Sequence, residues 1–129
     1  METVLAVGLG GFIGSILRYL ISLAAAGCTG DFPLGTFLVN AAGGFLMGFL
    51  MEAGVSLWNF PPVVRTFLTT GILGGLTTFS TFSYETVSLL SAGKYGMGGL
   101  NAALNLFTAL FACYLGRSAV RLIAGARLL

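Results

Sequence analysis

The stretch GGLTTFSTFSYE, residues Gly74–Glu85, lies inside one of the longest apolar runs of the chain. The surrounding segment runs from Val63 to about Leu90, roughly 28 residues or about 42 Å as one helix at 1.5 Å per residue. A hydrocarbon core is only about 30 Å thick, so this segment must either tilt strongly or break. We expect a break near residues 74–78, where two glycines are followed by Thr77 and Thr78.

Composition makes the bilayer the expected solvent for the whole chain. Its 129 residues are 57% hydrophobic and only 8% charged, with a mean hydropathy of +0.98, whereas soluble domains average about 25% charged residues. A net charge of +2 without a basic cluster predicts no nucleic-acid partner. The sequence has no histidine, the commonest general base and metal ligand, and we predict that the protein is not an enzyme.

Four apolar segments are predicted to cross the membrane as helices, which takes about 20 residues each. They cover about residues 4–26, 36–51, 63–90 and 97–115, within a single domain of residues 1–129. The first is predicted to be a retained helix rather than a signal peptide, because no basic residue precedes it. The fold class predicted is an all-α, multi-pass integral membrane protein with four transmembrane helices, the third broken near its middle.

Small residues recur at four-residue spacing on three of these segments. The pairs are Gly10 and Gly14, Gly44 and Gly48, and Gly71 and Gly75. Such pairs let neighbouring helices approach closely, so we expect them at helix contacts. Four short helices enclose little volume, and self-association of the chain is therefore predicted as well.

Three polar residues stand alone in apolar surroundings, and each has more than one interpretation. Arg18 either extends its head group to the membrane surface or places a positive charge in a vestibule that attracts anions. Glu85 is interpreted as a helix-pairing group for an arginine or for backbone donors. Asn40 offers two donors and one acceptor, either for a neighbouring helix or for a passing anion.

The fourth segment carries a polar stripe formed by Asn101, Asn105 and Thr108. Their spacing of i, i+4 and i+7 places them on one helix face. A polar stripe on a membrane helix faces protein or water rather than lipid. The stripe therefore indicates either a helix contact or the wall of an aqueous path.

The hydroxyls and rings of the opening stretch allow two interpretations. If a helix resumes at Phe79, then Phe79 and Phe82 share one face, while Ser80 and Ser83 share another. The hydroxyls could bond to the carbonyls four residues earlier, leaving the rings to face lipid. They could instead line a desolvated path, where a small anion meets hydroxyl donors and electropositive ring edges. A break would also free carbonyls that suit a hard cation.

The donor set of the spans favours a small, strongly hydrated anion over a proton-coupled substrate. Hydroxyls, amides and ring edges are frequent there, whereas titratable groups are scarce. A proton-coupled exporter would require a carboxylate or a histidine chain inside the membrane.

Four motifs together resemble those of the Fluc-type fluoride channels, a family of small four-helix bacterial membrane proteins. They are GGFIGSILRY in the first segment, PLGTFLVNAAGG at the second, GGLTTFSTFSYE in the third and SAGKY before the fourth. The motifs occur in the family's order and extend over nearly the whole chain. The third motif, together with GT and VN in the second, is the most specific.

The resemblance implies a structure and a function that spacing alone does not show. Members of this family are antiparallel homodimers of the bacterial inner membrane, with two fluoride pores at the subunit interface and a structural sodium ion at the dimer centre. By this resemblance, the carbonyls of Gly74 and Thr77 hold sodium and the ring edges of Phe79 and Phe82 face fluoride. The remaining matches are the pore amide Asn40, the hydroxyls of Ser80 and Thr81, the polar track of Asn101 and Asn105, and the motif arginine and acid, Arg18 and Glu85.

The expected function is a passive, selective fluoride channel that lowers cytoplasmic fluoride. The sequence departs from the family at Ala109 and Cys113, where a hydroxyl is usual. The alternative function is a small dual-topology, proton-coupled multidrug transporter, which requires an acid inside the first helix, and none lies in residues 4–26. A membrane scaffold without transport is a third possibility.

Overall fold

The computed structural model describes residues 1–126, and this part of the chain folds into helices joined by short turns. Three helices are long: α1 (Glu2–Ala25), α2 (Leu34–Ser56) and α6 (Tyr95–Ala126). Between α2 and α6 lies a divided segment made of α3 (Pro62–Thr66), a π-helix (Phe67–Leu73), α4 (Gly74–Leu76) and α5 (Phe79–Ser91). The all-α class predicted from the sequence is confirmed.

Three helices of the described chain are long and apolar enough to cross a membrane: Glu2–Ala25, Leu34–Ser56 and Tyr95–Gly125. They contain the first, second and fourth predicted spans. The second and fourth helices extend well beyond the predicted ends at residues 51 and 115. An ion-pair cluster joins the two extensions, because Glu52 accepts from Arg117 Nε at 3.2 Å and from Arg121 Nε at 2.8 Å.

The third segment is helical from Pro62 to Leu76 and leaves helical geometry at two residues. Thr77 has φ −79° and ψ 156°, and Thr78 has φ −151° and ψ 120°, so both are extended. A new helix begins at Phe79, where the Thr78 hydroxyl accepts from the Thr81 backbone N–H at 3.2 Å, as a capping threonine does. The interruption lies within the predicted range of residues 74–78. The preceding π-helix was not predicted.

Glycine pairs bring the helices together in two contacts. In the first, α1 packs on the π-helix, and a Cβ added to Gly10 would lie 2.6 Å from the Phe67 carbonyl oxygen. In the second, α2 packs on α6, and a Cβ added to Gly44 would lie 2.7 Å from the Ala109 carbonyl oxygen. Gly48 meets the backbone of Cys113 in the same way. Ala109 and Cys113 therefore lie at a tight helix contact.

The described chain buries few large side chains and leaves many exposed. Val39, Leu73 and Leu76 form its small core, with Met47 and Leu50 packed against it. Large apolar side chains are exposed along the outer faces of the helices, as at Phe12, Phe107 and Leu122. Such a surface is suited to lipid or to another protein chain and not to water.

Enlarging Gly14 is expected to separate α1 from the π-helix. A Cβ at this position overlaps the carbonyl oxygen of Ile72, which is backbone and cannot swing aside. Gly14→Val should therefore destabilise the protein by about 1–3 kcal/mol, measured by thermal unfolding in detergent. Gly8→Val is the matched control on the same helix, because no atom lies within 4 Å of its added Cβ. Equal melting temperatures for the two variants would contradict this contact.

Candidate functional site

Asn40 of α2 holds the broken backbone at Thr78 with two hydrogen bonds. Its Nδ2 donates to the Thr78 carbonyl at 3.1 Å, and its Oδ1 accepts from the Thr78 N–H at 2.9 Å. Only this orientation of the amide satisfies both backbone groups. The Asn40 side chain therefore bonds to the extended backbone of Thr78 as a neighbouring β-strand would. It replaces the helical partners of these two backbone groups, which would otherwise be left unsatisfied in an apolar medium.

The break also changes what the carbonyls of Gly74 and Thr77 contact. In a continuous helix, the Thr78 N–H would donate to the Gly74 carbonyl. Because that N–H donates to Asn40, the Gly74 carbonyl loses its helical donor. The Thr77 carbonyl accepts from Arg18 Nη1 at 3.3 Å. Arg18 is half-buried and directed at the break, which is not the arrangement of an arginine that reaches for the membrane surface.

These two carbonyls are the groups that could hold a cation here. Within residues 1–126, no group of three or more His, Cys, Asp or Glu side chains is placed to bind a metal. Backbone carbonyls are neutral, hard oxygen ligands that suit a cation such as sodium. The Gly74 carbonyl fits this role, because its residue is exposed on the chain and its helical donor is elsewhere. The Thr77 carbonyl has a second lone pair beside the one that faces Arg18.

A chain of side-chain amides runs from the break into α6. Asn40 Nδ2 donates to Asn105 Oδ1 at 3.0 Å, and Asn105 Nδ2 donates to Asn101 Oδ1 at 2.8 Å. Asn101 Nδ2 then donates to the Thr86 hydroxyl on α5 at 2.9 Å. Asn101 and Asn105 are buried, at 0% and 5% exposure. The amides therefore link α2, α5 and α6. Asn40, Asn101 and Asn105 thus make contacts between helices, which was one of the two interpretations of these residues from the sequence.

The hydroxyls of the opening stretch fall into two groups by their hydrogen-bond partners. Ser83 bonds to the Phe79 carbonyl at 2.8 Å, as a helical hydroxyl facing its own backbone does. Thr78, Ser80 and Thr81 instead form a hydroxyl cluster, with the Thr78 Oγ1 atom 3.3 Å from Ser80 Oγ and 3.0 Å from Thr81 Oγ1. Ser80 and Thr81 are exposed on the single chain. Ser80 and Thr81 can therefore turn their hydroxyls outward as donors, whereas Thr78 is buried.

Two aromatic rings lie beside this hydroxyl cluster. The ring centroids of Phe79 and Phe82 are 5.4 Å apart, with an angle of 59° between their planes. Phe79 is 79% exposed, whereas Phe82 is half-buried. Tilted rings present electropositive edges to a common neighbour, so the start of α5 combines hydroxyl donors with ring edges.

Glu85 pairs with a different group from those expected. Its Oε1 accepts from the Thr36 hydroxyl of α2 at 2.9 Å, and its Oε2 is buried without a hydrogen-bond partner among the described residues. Glu85 therefore pairs two helices, as interpreted from the sequence, but its partner is a hydroxyl of α2 rather than an arginine or a backbone donor. Sequence reasoning missed Thr36, although its spacing of four residues before Asn40 places both on one face of α2.

A cavity connects the hydroxyl cluster with the turn between α1 and α2. It measures about 320 Å³ and is lined by Ser22, Thr36, Thr81 and Glu85, with Asp31 among its loop residues. A second cavity of about 260 Å³ shares Asp31 and Glu85 and is completed by Tyr84, Ser88 and Lys94. Polar side chains therefore follow one another from the break to the surface of the chain.

Comparison with known proteins places the chain in one family. The family model described as CrcB-like protein, Camphor Resistance (CrcB), matches residues 5–117. A relative from Clostridium perfringens (strain ATCC 13124) is 48% identical over 120 residues, covering 92% of this chain and 94% of its own. One from Clostridium novyi (strain NT) is 46% identical over 118 residues, covering 91% and 92%. One from Shewanella sp. (strain ANA-3) is 45% identical over 121 residues, covering 93% and 97%.

All three relatives are named fluoride-specific ion channel FluC. The match to the family model and the similarity to these relatives both extend over most of the chain. The chain therefore belongs to the CrcB-like family of fluoride channels, which are multi-pass proteins of the cell membrane.

Proposed function

We propose that this protein is a passive, selective fluoride channel that lowers cytoplasmic fluoride. The observation that carries the proposal is the exposed pair Ser80 and Thr81, whose hydroxyls cluster around that of the buried Thr78, next to the ring pair of Phe79 and Phe82. These groups supply donors for an anion without supplying a titratable one. The fluoride-specific names of its relatives support the same ion.

The chemistry of the site suits fluoride because this ion gives up its hydration only where strong donors replace water. Ser80 and Thr81 hydroxyls supply O–H donors, and the Phe79 and Phe82 edges supply weaker electropositive contacts. Neutral donors release the ion more readily than a fixed positive charge does. Hydrogen fluoride crosses membranes as a neutral acid and dissociates inside, so a passive route for the anion is enough to remove it.

The channel is proposed to be an antiparallel homodimer with two pores at the subunit interface. In the single chain, Phe79 is 79% exposed, and Ser80 and Thr81 are exposed as well. A second copy would cover these groups and complete the walls of a pore. In this arrangement α1, α2, the divided segment and α6 form the four membrane crossings of each subunit.

Sodium is proposed as a structural ion held by the carbonyls of Gly74 and Thr77. A sodium ion there would balance the partial negative charge of carbonyl oxygens that have lost their helical N–H donors at the break. Asn40 keeps the Thr78 N–H away from the Gly74 carbonyl, and Arg18 holds the Thr77 carbonyl. These two side chains therefore shape the cation site without serving as its ligands.

Fluoride efflux from liposomes tests the proposed function. Vesicles loaded with potassium fluoride and carrying the purified protein should release fluoride rapidly once an ionophore balances the charge, and vesicles loaded with chloride should release none. A fluoride-selective electrode follows the release of fluoride, and a chloride-selective electrode follows the chloride control. The rate should not depend on a proton gradient, since the hydroxyls and ring edges proposed to contact the ion are not titratable.

Two outcomes would contradict the channel. Transport that requires a proton gradient would favour the multidrug-transporter alternative. Absence of fluoride release from vesicles that contain folded protein would leave a scaffold as the remaining function.

A further inference from the structure

The two cavities near Glu85 share a stretch of lining, which we call the mouth. Asp31 and Glu85 line both cavities, and Lys94 lines the smaller one. Lys94 is the only basic residue among the residues that line these cavities in the described chain. The mouth thus combines two acidic side chains with one lysine.

Lys94 is paired with one of these carboxylates. Its Nζ lies 2.7 Å from Asp31 Oδ2, and the two side chains are 46% and 58% exposed. The pair joins the turn between α1 and α2 to the turn between α5 and α6. It neutralises Asp31 beside the two cavities that Glu85 also lines.

Two glycine turns hold the pair in place. Gly30 precedes Asp31 with φ 62°, and Gly93 precedes Lys94 with φ 76°, a conformation that favours glycine. Lys94 N donates to the Leu89 carbonyl at 2.9 Å and Gly93 N to the Leu90 carbonyl at 3.0 Å, which is the Schellman arrangement at a helix end. Both charged residues therefore stand at backbone positions fixed by tight turns.

Such an exposed ion pair contributes little to stability, typically about 0–1 kcal/mol. Its electrostatic effect on an approaching ion reaches further, because a carboxylate without a counter-charge repels an anion over several ångströms at low ionic strength. Without Lys94, the exposed Asp31 carboxylate would face an anion at the mouth with no compensating charge.

We propose that the Asp31–Lys94 pair sets the rate of anion passage by neutralising the mouth, with Lys94 as a positioning and charge-balancing residue. This role rests on the proposed fluoride channel. It predicts that the fluoride efflux rate depends on the charge of residues 31 and 94 and on ionic strength, whereas a purely structural contact would show no such dependence.

Fluoride efflux from liposomes at two ionic strengths tests this role. Lys94→Gln should slow efflux about two- to fourfold at about 0.01 M of an impermeant salt, where the screening length is about 30 Å. The loss should largely disappear at about 1 M, where the screening length is about 3 Å. The double variant Asp31→Asn with Lys94→Gln should return to near wild-type efflux at low salt, and so should the swapped pair Asp31→Lys with Lys94→Asp.

Arg117→Gln is the matched control, since it removes one positive charge from the far end of α6. It should not show the salt-dependent loss of Lys94→Gln. Wild-type efflux in Lys94→Gln at low salt would overturn the role of the pair while leaving the channel intact. A loss that is equal at both salt concentrations, or that the double variant does not restore, would also overturn it. A wild-type protein without fluoride efflux would instead overturn the proposed function, and the role of the pair with it.

Discussion

Replacing Asn40 with alanine is expected to lower fluoride efflux about tenfold or more, the effect of raising a barrier by about 1.4 kcal/mol. The same change should destabilise the protein by about 3 kcal/mol, because three hydrogen bonds are lost. Two of them hold the backbone of Thr78, and the third reaches Asn105. Thr78 is only 7% exposed, so its N–H and carbonyl would be left buried without partners.

The flux and the stability should fall together, because the Thr78 hydroxyl organises Ser80 and Thr81. When the backbone at Thr78 loses its partner, these hydroxyls lose their common neighbour and no longer present a fixed set of donors. Efflux is measured in liposomes, and stability is measured by thermal unfolding in detergent.

Asn105→Ala separates the two functions of the Asn40 amide. It removes the bond from Asn40 to α6 but leaves both bonds to Thr78. We expect this variant to lose stability while retaining most of its fluoride efflux. Wild-type efflux in Asn40→Ala would refute the control of the break by this amide.

The break itself was predictable, because it follows from length. A segment of residues 63–90 is too long for the hydrocarbon core, and Gly74 with the following threonines marks where a helix is weakest. The amide stripe of Asn101 and Asn105 was predictable from helical spacing, and both residues are buried together as that spacing requires. These features depend on local periodicity, which the sequence contains directly.

The partners across helices were not predictable in the same way. Nothing in the sequence pairs Thr36 with Glu85 or Arg18 with the Thr77 carbonyl, since those contacts depend on how α1, α2 and α5 are rotated about their axes. The π-helix was not predicted either, because its hydrogen bonds span one residue more than those of an α-helix and this difference has no clear signal in the composition. Ala109 illustrates a further limit: it replaces an expected hydroxyl, and its reason is the close approach of Gly44.

Replacing either ring of the Phe79–Phe82 pair with isoleucine is expected to lower fluoride efflux about tenfold while the protein still folds and assembles. Isoleucine retains most of the apolar volume but has no electropositive ring edge. The rings are 5.4 Å apart and belong to the same start of α5 as Ser80 and Thr81, so an ion leaving these hydroxyls would meet an aliphatic surface without electropositive edges. The effect should appear in efflux and not in the melting temperature.

Phe12→Ile is the matched control, because Phe12 is 68% exposed on α1 and lies outside the hydroxyl cluster. It makes the same chemical change at a surface suited to lipid, and its efflux should equal that of wild type. Size-exclusion chromatography of all three variants establishes that the assembly is unchanged. Full efflux in both Phe79→Ile and Phe82→Ile would exclude the ring edges from the path and leave the hydroxyls as its only donors. An equal loss of efflux in Phe12→Ile would instead show that Phe79 and Phe82 act through packing, because Phe12 is not proposed to contact the ion.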